Sequence, residues 1–204
     1  MVAAKYRLCL DHPFPTPVDD VFAVWNYVVN NADSLGIDKN KIVIGGESAG
    51  GGLSAMLVNR LHDLGGQEQP IGQWLLCPML DDRTAADREL EKVGHILWTN
   101  HSNYVGWKAF LGQEPGLPTV PDLSVPARRL DFTGLPPTWI GVGTIDLFYK
   151  EDVEYAKRLK EAKVPCELVE QEGGIHAFEM LLPSAPISIA FRGKSIAWLT
   201  KQLK

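Results

Sequence analysis

Ser48 sits in Gly46-Glu47-Ser48-Ala49-Gly50, directly after the run Lys41-Ile42-Val43-Ile44-Gly45. A serine hydroxyl is a weak nucleophile, and it attacks a carbonyl only when it is exposed and paired with a base. The Gly-x-Ser-x-Gly spacing suits that task. Small flanking residues let a strand turn sharply into a helix, and the turn lifts the hydroxyl to the helix N-terminus. There the backbone N–H of Ala49 could donate to a developing oxyanion. A helix-capping serine in a glycine-rich turn reads similarly over so short a stretch. The β-branched run in front of it favours the nucleophile.

The base must be a histidine held by an acid. The candidates are His12, His62, His95, His101 and His176. His176 follows Gly173-Gly174-Ile175, just after an apolar run, where a parallel sheet delivers groups to the carboxyl ends of its strands. His62 falls on the polar side of a helical segment. His95 and His101 lie in an irregular stretch and could line a pocket there. For the acid, Asp146 stands three residues beyond Gly143, at the end of another apolar run. Asp152 is its rival but falls inside the next helix, and Asp146 could also serve as that helix's cap. The order Ser48, Asp146, His176 matches one known arrangement of nucleophile, acid and base.

These residues need strands that end together. Lys41–Gly46, Ile71–Cys77, Pro136–Gly143 and Pro165–Gln171 are short apolar or β-branched runs bounded by Gly or Pro. Residues 2–9 are expected to form a further strand. Helices are expected from Val18 to just before Gly36, from Ser48 to Leu64, from Lys150 to Ala162 and from Pro186 to Leu203. Alternation of strands and helices predicts an α/β fold with a mostly parallel sheet flanked by helices. Residues 82–130 read as a helical insertion within a single domain spanning 1–204. Its Trp98, Tyr104 and Trp107 are candidates for an apolar substrate pocket, or for anchors that hold the insertion to the core.

Composition narrows the class. The net charge of −5 argues against nucleic-acid or polybasic membrane partners. Cys9, Cys77 and Cys166 are far apart, which argues against a disulfide framework or a structural zinc site. No run reaches the length of a membrane span or a secretory signal, so a cytoplasmic location is expected.

The motifs together resemble the hormone-sensitive-lipase-like branch of the α/β-hydrolase superfamily. Tyr6-Arg7-Leu8 through Asp11-His12-Pro13-Phe14-Pro15 is similar to that branch's Tyr-Arg-Leu-Ala-Pro-Glu-His-Pro-Phe-Pro stretch. Gly46-Glu47-Ser48-Ala49-Gly50-Gly51, Leu135-Pro136-Pro137-Thr138 leading to Asp146, and Gly174-x-His176-x-Phe178 resemble its other signatures. Glu47 replaces a more usual Asp, and Leu147 a frequent Pro. The resemblance implies a carboxylesterase acting on small-molecule esters with short to medium acyl chains, through an acyl-serine and without cofactor or metal. It also implies that the N-terminal cap, the first strands and a His-Gly-Gly-Gly oxyanion loop are missing here. One missing strand would lie between residues 2–9 and Lys41–Gly46. Those two segments should therefore pair directly in a five-stranded sheet, or the open edge should be covered in a homodimer. A catalytically weak relic, a ligand-binding module and a fragment of a longer enzyme are the alternatives to an active esterase.

Overall fold

The computed structural model describes residues 1–66 and 68–204. Its sheet has four strands in the order β1 (Val43–Glu47), β2 (Gly72–Leu76), β3 (Thr138–Gly143) and β4 (Cys166–Gln171), all parallel. The register aligns Glu47 with Leu76, Leu76 with Gly141, and Gly143 with Gln171, so the carboxyl ends come out along one rim.

Successive side chains alternate between the two faces. Leu75 and Ile140 point to the face covered by α3 (Ala49–Leu64) and α6 (Tyr149–Glu161), where they meet Ala55, Val58, Tyr155, Ala156 and Leu159. Leu76, Trp139 and Val169 point to the other face and pack on Phe191 and Trp198 of α8 (Pro186–Gln202). Both faces are covered, which is why these strands read as nearly continuous apolar runs.

Helix α1 (Thr16–Asn30) packs on α3 through Val18, Val21 and Trp25. The sequence predicts one helix up to Gly36. Instead α1 stops at Asn31, and the single turn α2 (Ala32–Leu35) follows. The Asn31 side chain donates to the Tyr27 carbonyl at 2.8 Å, competing with the helical pattern. Gly36 then closes α2 in the left-handed conformation, at φ 66°.

The expected strand over residues 2–9 does not form. Residues 1–8 have no regular structure, and among the described residues the sheet has four strands, not five. A strand exists only against a partner edge, and β1 pairs with β2 alone. The segment is held on α1 instead. Asp20 accepts from the Arg7 N–H at 2.9 Å and from its guanidinium at 2.7 Å, and these bonds hold the Asp20 carboxyl down at about 2.

Between β2 and β3 the chain makes α4 (Asp82–Ala86), a 3-10 segment (Arg88–Val93), α5 (Asn100–Leu111) and a long loop. Asp82 clasps this excursion at both ends. Its fully buried carboxylate accepts from Arg128 Nε and Nη2 at 2.7 and 2.8 Å, and from the Gly116 N–H at 2.6 Å. Asp81 caps α4 by accepting from the Arg83 N–H.

Candidate active site

Ser48 stands between β1 and α3 with φ 53° and ψ −120°, a backbone region that costs a non-glycine residue roughly 1–3 kcal/mol. The turn is clamped from both sides. The Ser48 N–H donates to the Leu76 carbonyl at 2.9 Å, and the Ser48 carbonyl accepts from Met79 and Gly52 at 3.0 Å each. Gly46 is required here, because a Cβ on it would lie 2.4 Å from the Gly50 carbonyl. Ala49 opens α3, so its N–H has no intrahelical acceptor and is free to donate to an oxyanion at Ser48.

The acid and histidine loops are drawn together by backbone. The Ile145 N–H donates to the Gly174 carbonyl, and Thr144 donates to Gln171. A Cβ at Gly143 would fall 2.1 Å from the Gly174 oxygen, so only glycine lets these loops approach. The result is a continuous hydrogen-bonded line. His176 Nε2 lies 2.9 Å from Ser48 Oγ, and His176 Nδ1 lies 2.9 Å from Asp146 Oδ2. Asp146 Oδ1 accepts the Phe148 N–H at 2.9 Å, so both carboxylate oxygens are used and the carboxylate cannot rotate freely. The Asp146 side chain is fully buried and that of His176 nearly so.

Asp152 takes no part in this line. It is buried in α6 with both oxygens unpartnered among the described residues, and burial pushes its carboxyl well above the usual carboxylate range.

The aromatic candidates separate. Trp98 lies beside the site, its ring 6.4 Å from His176. Phe148 meets the imidazole edge-on at 5.2 Å. Tyr104 is placed away from the triad. Its hydroxyl donates to Glu114, and Arg88 sits over its ring at 4.7 Å. Trp107 is fully buried and packs edge-on against Phe110 at 5.9 Å, so it anchors α5 to the core rather than lining an open pocket. His95 lines a cavity of about 500 Å³ between the insertion and the loop after β3, together with Leu90, Ile145, Leu147 and Asp146. Burial lowers the His95 pKa and so favours its neutral form. His101 is exposed near Glu91.

Sequence reasoning missed Phe148 and Cys77. The Cys77 thiol sits with the Asp146 carboxylate and the His176 ring, and burial and the Asp146 charge keep it a thiol. Its position was a usable signal: Cys77 directly follows β2, on the same rim that supplies the other three residues.

Residues 1–180 match the family described as having the alpha/beta hydrolase fold. The chain belongs to that family. A carboxylesterase of Mycobacterium tuberculosis, NlhH, is 30% identical over 208 residues, a match that covers 100% of this chain and 64% of that protein. A solved bacterial heroin esterase superposes with a TM-score of 0.91 at 34% identity, covering 98% of this chain and 63% of its own. An esterase from the bacterial hormone-sensitive lipase family superposes at 0.82 with 25% identity, covering 98% and 65%. The chain thus spans just under two thirds of the length of these relatives.

Proposed function

We propose that this chain is a serine carboxylesterase acting on short- to medium-chain esters. The observation that carries this reading is the line Ser48–His176–Asp146, with 2.9 Å at each step. His176 Nε2 takes the Ser48 proton as Oγ attacks the ester carbonyl. The Nδ1–H, held by Asp146, fixes the tautomer and supports the imidazolium that forms. The tetrahedral oxyanion receives the Ala49 N–H. His176 then returns the proton to the departing alcohol and leaves an acyl-serine. A water molecule, deprotonated by the same histidine, attacks that ester and releases the acid. Trp98, an aromatic neighbour of His176, supports an apolar ester as substrate.

The elbow supplies one oxyanion donor, the Ala49 N–H. Loss of one oxyanion donor costs about 10²–10³ in rate, so the Ala49 N–H is integral to the proposal. Hydrolysis of p-nitrophenyl butyrate by the wild type and by Ser48→Ala tests it. The wild type should exceed the variant by at least about 10²-fold. Equal rates would replace this reading with that of an inactive, ligand-binding relic. We also infer that the open edge of β1 is covered by a second copy of the chain, because its outer backbone groups are unpaired in the sheet. A reducing, cytoplasmic setting is part of the same reading and suits three cysteines that remain thiols.

A further inference from the structure

Cys77 has no role in ester hydrolysis as derived above, yet it is packed into the triad from behind. Its Sγ, a carboxylate oxygen of Asp146 and a ring nitrogen of His176 all lie within 4.8 Å of one another, and all three residues are buried. Thiolate, imidazole and carboxylate together form the donor set that binds zinc and related soft divalent cations. The bond lengths of a tetrahedral zinc place such ligand atoms about 3.3–3.6 Å apart, so the widest pair closes by at most about 1.5 Å, and the Nδ1–Oδ2 pair, now at 2.9 Å, opens slightly if Nδ1 is the ligand.

We propose that Cys77, Asp146 and His176 form an inhibitory site for a thiophilic divalent cation. The cation replaces the thiol proton of Cys77 and occupies a ring nitrogen of His176. Occupying Nδ1 ends the bond to Asp146, and occupying Nε2 ends the bond to Ser48. Either way the base is lost, and hydrolysis stops until the metal leaves. The cation is not a cofactor in this scheme; it competes with the proton that the triad must move. The proposal goes beyond esterase function, because the cation binds whether or not an ester is cleaved.

Two readouts separate the claims. Cadmium titration of the Ser48→Ala protein reads the cysteine–metal charge-transfer band in the ultraviolet, independently of any turnover. The band should saturate at one equivalent, and it should disappear in Ser48→Ala combined with Cys77→Ser, although Cys9 and Cys166 remain. Zinc inhibition of p-nitrophenyl butyrate hydrolysis reads the consequence. Cys77→Ser and Cys77→Ala should raise the zinc concentration for half-inhibition by about tenfold or more, as loss of one ligand of three predicts. Inhibition of each variant is read against its own uninhibited rate. A cadmium band without hydrolysis upholds the metal site and removes the esterase reading. An unchanged band, or unchanged zinc sensitivity in both Cys77 variants of an active enzyme, overturns the site.

Discussion

At the scale of residues, the site rests on a strained serine and two shared oxygens. Asp146 divides its carboxylate between His176 and the Phe148 N–H, so orientation and charge depend on one group. Asp146→Asn keeps the shape but favours the wrong imidazole tautomer. Its kcat should fall by about 10²–10⁴ with little change in melting temperature, read by steady-state kinetics and calorimetry together. The two tryptophans make opposite predictions. Trp98→Ala, beside His176 and half-buried against the core, should lower kcat/KM by about tenfold, some 1.4 kcal/mol, with a smaller loss of stability than Trp107→Ala. Trp107→Ala empties a fully buried position and should cost about 3–5 kcal/mol in denaturant unfolding. Equal effects of the two on kcat/KM would contradict this division. Sequence placed both in one aromatic cluster, because periodicity says that an aromatic is buried but not against what.

At the scale of elements, the strands and their carboxyl ends were legible because burial on both faces leaves a plain apolar run. Ser48, Asp146 and His176 follow three of those ends, so finding the strands nearly finds the site. Residues 2–9 failed as a strand for a reason no local pattern carries: pairing is a property of two segments, and β1 offers its bonds to β2 alone. The break at Asn31 is a competition between a side chain and the helix, and hydrophobic spacing does not register it. Helix α6 carries a cost that its sequence pattern hides. Asp152 is an acid whose folded pKa is raised by burial, so folding takes up a proton at pH values above the ordinary carboxylate range. The sign follows: the unfolded chain binds fewer protons there, and stability falls as pH rises above about 4. Asp152→Asn removes that linkage. It should raise the melting temperature at pH 7, by about 2–4 °C per kcal/mol recovered, and flatten its decline between about pH 4 and 7. A lower melting temperature at pH 7 would show that the carboxylate has a partner it needs.

At the scale of the molecule, the α/β-hydrolase sheet ends in an edge strand, β1, which pairs with β2 on one side and with no strand on the other among the described residues. An exposed edge of that kind recruits another chain. Light scattering should give twice the 22.5 kDa chain mass at micromolar concentration, and a clean monomer at high concentration would remove the dimer. Ser48, Asp146 and His176 follow the carboxyl ends of β1, β3 and β4, along one rim of the sheet. The central claim is therefore that Ser48 is an activated nucleophile in the chain as it stands. The direct measurement is intact-protein mass spectrometry after reaction with a fluorophosphonate, followed by peptide mapping. One adduct should form, on Ser48, and labelling should slow by at least about 10²-fold in His176→Ala. No adduct, or equal labelling rates in wild type and His176→Ala, would contradict the account.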